Sequence, residues 1–388
     1  MALRRKAADP ALTPEPISAV EIEERVPPSL RVAGAYSWRI LLVVGVVGVV
    51  IFLIAQLKDI VVPFMIAILV AALLVPLVNL LVRHRWPRAL AVALAMVGTL
   101  AIVSGLIFVI VAQIRSGLPD LQDRSIRAYD EFKVFLATSP LQLNDAQIQS
   151  YIDDAFAALQ KDSQALISGA LSVGSTAGHV LAGLLLVLFA TLFILIDGKG
   201  IWAWIVRLFP RRSRAAVDGS GRAGWVTLTT FVKVQIFVAA VDAIGIGLGA
   251  WILGLVFGGF PLVIPIAIAV FLGSFIPVVG AVLTGAIAVF VALVYLGPFP
   301  ALLMIGVVLL VQQVEGHVLQ PLVMGSAVKV HPLAVVFAVA AGSFLAGIPG
   351  ALFAVPVIAV TNVMVKYIAS GEWKTNPAPK AKDLVTHA

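Results

Sequence analysis

Cysteine is missing from all 388 residues, which removes disulfides, thiolate nucleophiles and Cys-ligated metals from consideration. Charge is scarce: Asp, Glu, Lys and Arg make up 12% of the chain, against about 25% in a typical soluble domain. Histidine occurs only five times. The sequence has no Gly-x-Ser-x-Gly nucleophile elbow, no His-Glu-x-x-His zinc pair and no Gly-Lys-Ser/Thr phosphate loop. It therefore gives no support to an enzyme, and no cofactor or metal is expected. Without a phosphate loop, no ATP drive resides in this chain. What fills the space instead is apolar: 61% of residues are hydrophobic and the mean hydropathy is +1.06. Several runs exceed the roughly 20 residues that cross a bilayer. The chain reads as an all-α, polytopic integral membrane protein of about eight hydrophobic segments. Its net charge of +7 points to cytoplasmic loops before nucleic acid, and no nucleic-acid partner is expected.

Residues 1–36 are polar and Pro-rich and read as a disordered cytoplasmic tail. Residues 37–114 hold the first three membrane helices, near 38–57, 60–82 and 89–114. The first run is too long for a signal h-region. Residues 115–172 carry eight acids against five bases. There Ile148, Ile152, Phe156 and Leu159 recur at helical spacing, which predicts amphipathic helices outside the bilayer. Residues 173–370 form the membrane core: a fourth helix near 173–196, a fifth near 226–255, and apolar blocks at 260–296, 299–311 and 333–368. Residues 371–388 form a polar tail. The loops at 83–88 and 197–224 are basic, so the positive-inside rule puts them and both termini in the cytoplasm and 115–172 outside it.

Two blocks are too long for one straight span, and both are interrupted. Gly273-Ser274-Phe275-Ile276-Pro277-Val278-Val279-Gly280 recurs in outline as Gly342-Ser343-Phe344-Leu345-Ala346-Gly347-Ile348-Pro349-Gly350. Proline lacks an N–H and glycine accepts unusual dihedrals, so each helix should break there. Either each block is a re-entrant hairpin, or each is one long kinked span. Broken backbone at membrane depth persists only inside protein or beside a wet cavity, and paired breaks point to a transporter binding site. Pro277, Gly280, Pro349 and Gly350 are then candidate gating turns, whose carbonyls and half-helix ends could hold solute or ion.

The densest polar cluster is Gln312-Gln313-Val314-Glu315-Gly316-His317-Val318-Leu319-Gln320. A charge at membrane depth costs roughly 2.5 kcal/mol or more, so such a cluster should line a polar pathway. Burial would favour the neutral form of Glu315, which could then take up a proton on one side and release it on the other. Gln312 stands one turn before it; Gln313, His317 and Gln320 add donors and acceptors suited to a small polyhydroxylated solute or a monovalent cation. Asp242 and Gln235 lie seven residues apart on nearly one face of the fifth helix and form a second polar stripe. Lys233 is near enough to an interface to snorkel.

These motifs, taken as a set over about residues 40–370, resemble the autoinducer-2 exporter family. The set comprises Gln313-x-Glu315-Gly316-His317-x-x-Gln320-Pro321-x-x-x-Gly325, His331-Pro332, Phe275-Ile276-Pro277-x-x-Gly280, Gly347-Ile348-Pro349-Gly350-Ala351, Pro63 and Pro76, Asp197-Gly198 and Gln235. The family often has Asn where this chain has His317. The resemblance implies a bacterial inner-membrane homo-oligomer, a pentamer being one option. It implies export of a small polar solute such as autoinducer-2, or sodium or lithium/proton antiport; with Glu315 as proton acceptor, the export is expected to be proton-coupled. A non-transporting oligomeric scaffold, docking a partner through 115–172, is the alternative of another class.

Overall fold

Long apolar runs with few breakers give long helices, and the computed structural model consists of them. It describes residues 27–138, 173–276, 279–317 and 332–377. Helices α1 (Pro28–Gln56), α2 (Lys58–Arg83), α3 (Arg88–Thr138), α4 (Val173–Arg207) and α5 (Arg214–Phe257) come first. They are followed by α6 (Val263–Gly273), α7 (Val279–Leu296), α8 (Pro298–Val314), α9 (Pro332–Ser370) and a 3-10 turn, Glu372–Lys374. Among the described residues there is no strand, and seven helices are long and apolar enough to cross a membrane. Only α6 and α7 are shorter than that set. The chain divides into two units at Leu57/Lys58.

The first unit contributes α1. Proline at its first position suits the helix start, because the missing N–H would have no partner there. The helix therefore begins at Pro28, inside the stretch read as a disordered tail, and residues 28–36 are helical. Its side chains are exposed almost throughout, as befits a helix whose apolar surface belongs to lipid.

The second unit has two packed centres. In one, α2 lays Ala71, Leu74 and Val78 against Ala91, Val92 and Ala95 of α3 and Leu195 of α4. Small residues let the backbones approach closely, and van der Waals packing holds helices together where lipid offers no hydrophobic drive. Arg88 ties the same corner by donating to the Leu195 carbonyl at 2.9 Å. In the other centre, Ile246, Ala250 and Leu253 of α5 meet Ile266 and Val270 of α6, Ala288, Val291 and Ala292 of α7, and Ala301 and Met304 of α8.

Three helix limits differ from the sequence expectation. The α3 helix runs through the charge change at Arg115 to Thr138, because acids and bases do not break a helix; residues 139–172 lie outside the described set. Most of the loop expected at 197–224 is also helical. The α4 helix breaks at Asp197 (φ −134°, ψ 38°) and restarts at once, since the Asp197 carboxylate accepts the Gly200 N–H at 3.1 Å as an N-cap does. The fifth helix starts at Arg214, where 226 was expected.

Both interrupted blocks fold back on themselves. A Cβ on Gly280 would fall inside the Gly273 carbonyl, and a Cβ on Gly350 inside the Gly342 carbonyl. In straight helices these pairs would stand about 10–12 Å apart by rise, so a kinked continuous span is excluded in both places. The first hairpin pairs α6 with α7. In the second, α9 turns at Ala346 (φ −139°) and Gly347, whose φ of +64° is a left-handed conformation suited to glycine.

Candidate functional site

The register of the neighbours on α5 places the two hairpins. On α6, Ala267 lies beside Gly247, so the α6 chain descends α5 toward Asp242. The C-terminal arm of α9 is antiparallel to the start of α5, with Tyr367 against Gly219 and Val360 and Met364 against Gly224. Gly350 lies 17 residues before Tyr367, about 25 Å by rise, which brings it level with residue 236 of α5. The two tips thus approach the same stretch of α5 from opposite ends. On α8, Val311 and Val307 pack on Gly245 and Gly249, so α8 is also antiparallel to α5 and its end at Val314 is level with Asp242.

At that level stands the one polar knot among the buried side chains of the second packed centre. Asp242 is 2% exposed. Its Oδ2 lies 3.1 Å from Ser274 Oγ, and Ser274 Oγ lies 2.8 Å from the Val270 carbonyl. Gln235 Nε2 donates to the Ser274 carbonyl at 2.7 Å, taking up an acceptor freed by the helix break. Asp242 Oδ1 has no hydrogen-bond partner among the described residues. The knot therefore joins the middle of α5 to the first hairpin tip. Thr284 closes the tip from the α7 side by donating to the Gly280 carbonyl at 2.8 Å.

Gln235 and Asp242 thus meet on one serine, as two residues on one helical face can. Ser274 was overlooked by the sequence reading, which took it as part of a turn. Its signal was its place directly after Gly273 in the broken motif. The 312–320 cluster lies apart in character. Glu315 is half-buried and opens a widened π turn, 315–317, that ends α8; its N–H reaches the carbonyls of Gln312 and Val311. Such turns are frequent at functional sites. Gln312 lines an otherwise apolar open groove between α7 and α8, about 350 Å³, with Ala281, Gly285 and Val308. Gln313 and His317 are exposed. Gln320, Pro321, Gly325, His331 and Pro277 lie outside the described residues. Pro349 and Gly350 are half-buried at the second tip. Lys233 is exposed. Among the described residues no group of three His, Cys, Asp or Glu side chains could hold a metal ion.

The chain has clear relatives. The model of the AI-2E family transporter matches residues 40–370. The putative transport protein MT0215 of Mycobacterium tuberculosis is 38% identical over 370 residues, 95% of this chain and 100% of the relative. The AI-2 transport protein TqsA of Escherichia coli is 25% identical over 338 residues, 86% of this chain and 93% of the relative. The putative transport protein YueF of Bacillus subtilis is 28% identical over 309 residues, 77% and 82% of the two chains.

Proposed function

This chain belongs to the AI-2E transporter family, and from that premise we propose that it is a secondary transporter that exports a small polar solute such as autoinducer-2, coupled to protons. The observation that carries the reading is the Asp242–Ser274–Gln235 knot, a buried carboxylate held at the tip of a broken helix in an otherwise apolar interior. Carboxylates inside membrane segments are costly and mark ion or proton routes. Tips that approach one helix from opposite ends suit a gate on each side of a central site. The polar groups of 312–317 sit at the same height on α8 and extend the route. The relative named for AI-2 transport supports the solute class. The basic stretches at 83–88 and 197–224 support an orientation with both termini cytoplasmic, and the bacterial relatives suit an inner-membrane placement. The exposed apolar helix faces leave room for a homo-oligomer in lipid.

A second cargo is favoured by one feature. The knot presents oxygens, from a carboxylate and a hydroxyl, and one carboxylate oxygen has no donor among the described residues. Oxygen ligands of this kind suit a dehydrated sodium or lithium ion, exchanged against protons. One experiment separates the readings. The purified chain is reconstituted in liposomes enclosing a pH dye, a proton gradient is imposed, and autoinducer-2, sodium and lithium are added in turn. A pH change tied to autoinducer-2 and lost in Asp242→Asn supports solute export; one tied to a cation supports antiport. No response from folded, inserted protein overturns coupled transport and favours the scaffold.

A further inference from the structure

The hydrogen bonds of the knot count protons. Ser274 has a single hydroxyl proton, yet Oγ lies within bonding distance of two acceptors, Val270 O at 2.8 Å and Asp242 Oδ2 at 3.1 Å. With Asp242 ionised, one of these contacts is acceptor against acceptor. The carboxylate would then hold at most one donor, and Oδ1, buried and without a partner among the described residues, would hold none. An ionised carboxylate accepts at up to four lone-pair sites, and leaving it so poorly served in an apolar interior is costly. A neutral acid resolves the conflict. Its proton lies on Oδ2 and is donated to Ser274 Oγ, whose own proton goes to Val270 O. Oδ1 is then a carbonyl oxygen, far cheaper to leave unpaired.

We propose that Asp242 and Ser274 are a proton-carrying site in this conformation, with Asp242 the neutral acid and Ser274 the relay that ties its proton to the first hairpin tip. Loss of the proton turns Oδ2 from donor to acceptor. The Ser274 hydroxyl must then leave Val270 for Asp242, or the tip must move so that water or a cation reaches the carboxylate. Protonation is thereby linked to the packing of Ser274 against α5. This assigns the proton to Asp242, where the sequence alone favoured Glu315.

Among the described residues, the helices packed against α5 carry few charges near Asp242. On the helices packed against α5, α6 has no ionisable side chain, α7 has only Tyr295 near its far end, and α8 has none. Those of α2 (Lys58, Asp59, Arg83) stand at its two ends, and those of α4 are His179, Asp197, Lys199 and Arg207, away from its middle. On α9 they are Lys366 and Tyr367, the latter beside Gly219, 23 residues from Asp242 along α5, and the Glu372–Lys374 turn that follows brings Glu372 and Lys374 to the start of α5. On α5 itself Lys233 is exposed, and Arg222 bonds Asp218 near the start of the helix. Glu315, just past the end of α8, is the ionisable group level with Asp242.

The proposal deepens the proton-coupled reading above but is tested without transport. Infrared spectra of the purified full-length protein at neutral pH should contain a carboxylic-acid C=O band that shifts in D2O. That band should vanish in Asp242→Asn, persist in Glu315→Gln, and move in frequency in Ser274→Ala, where the acid has lost its acceptor. The Asn variant is isosteric, and size-exclusion profiles and melting curves identify folded samples. Absence of the band from the wild type overturns the proposal, as does its loss in Glu315→Gln with survival in Asp242→Asn. An unchanged frequency in Ser274→Ala overturns the relay. If the band behaves as expected while liposomes show no coupled flux, the site stands and the transport reading falls.

Discussion

The two hairpins share one motif and one close approach of glycines, yet they live in different surroundings. In the first, Gly273 and Gly280 touch; in the second, Gly342 and Gly350 do. Ser274 and Ser343, the residues after the first glycine, both donate back four residues at 2.8 Å, to Val270 and Val339. From there the copies diverge. Ser274 is buried on Asp242, whereas Ser343 is exposed. Phe275 is half-buried against Phe271, with ring centroids 5.7 Å apart, whereas Phe344 is 92% exposed. Thr284 bonds the tip of the first hairpin, and Ala354 takes its place in the second. The second copy also has one more residue in its turn, accommodated by the positive φ of Gly347. A shared fold-back thus does not make a shared site. The first copy is a tip packed into the core; the second makes the same close approach of glycines but leaves its apolar side chains exposed.

The steepest way to break this comparison is at the shared contact. Gly280→Val puts a side chain into the Gly273 carbonyl, inside a packed centre that cannot yield. A loss of about 3 kcal/mol or more is expected, read as a collapse of monodisperse yield and melting temperature. Gly350→Val meets the Gly342 carbonyl just as directly, but the exposed tip can open to relieve it, so its melting temperature should fall by less. Equal losses would mean that both tips are equally confined.

Next in size is the phenylalanine pair. Phe275→Ala removes a ring that packs edge-on against Phe271 and should cost about 2 kcal/mol, below the 3–5 of a fully buried ring, because Phe275 is only half-buried. Phe344→Ala should leave the melting temperature of the monomer unchanged. If mass photometry in detergent shows that Phe344→Ala lowers the oligomeric state, the exposed tip is an interface and the contrast sharpens: one tip packs within its chain and the other between chains.

The serines separate stability from function. Ser274→Ala removes the partner of a buried acid and should cost about 1–3 kcal/mol, together with most coupled flux. Ser343→Ala removes only a local back-bond at an exposed site and should stay within about 0.5 kcal/mol with flux retained. A loss of flux in Ser343→Ala at normal stability would make the second tip an equal part of the route.

The breaks themselves were legible, because glycine and proline announce themselves in a run of apolar residues. Whether each break was a fold-back or a kink was not, since the answer rests on glycines touching across it, a tertiary fact. Half of the knot could be read: Gln235 and Asp242 are seven apart on one helix. Ser274 could not, because it reaches Asp242 and Gln235 across 32 and 39 residues of chain through a docking on α5 that no local pattern encodes. The cluster around Glu315 drew attention through sheer density of polar residues, yet density reports how many polar groups a segment has and not how deeply they are buried. Asp197 taught a similar lesson. A basic loop was expected after it, and its own side chain restarts the helix by capping Gly200.

A modest loss is expected at the residue that distinguishes the two outgoing arms. Thr284 is buried and donates back one turn along α7 to the Gly280 carbonyl, beside the contact with Gly273. Thr284→Ala should cost about 1 kcal/mol, the usual net worth of one such hydrogen bond. The reverse change, Ala354→Thr, offers the second tip the same bond to Gly350. If the hydroxyl reaches it, the gain should be no more than about 0.5 kcal/mol, because a half-buried carbonyl is already partly served by its surroundings. Each variant belongs to its own double-mutant cycle, Thr284→Ala with Ser274→Ala and Ala354→Thr with Ser343→Ala. Non-additivity of Thr284→Ala with Ser274→Ala would show the first tip behaving as one cooperative unit that grips Asp242. Additivity of Ala354→Thr with Ser343→Ala would show the second tip as independent local contacts, which is what an exposed turn with room to move should be.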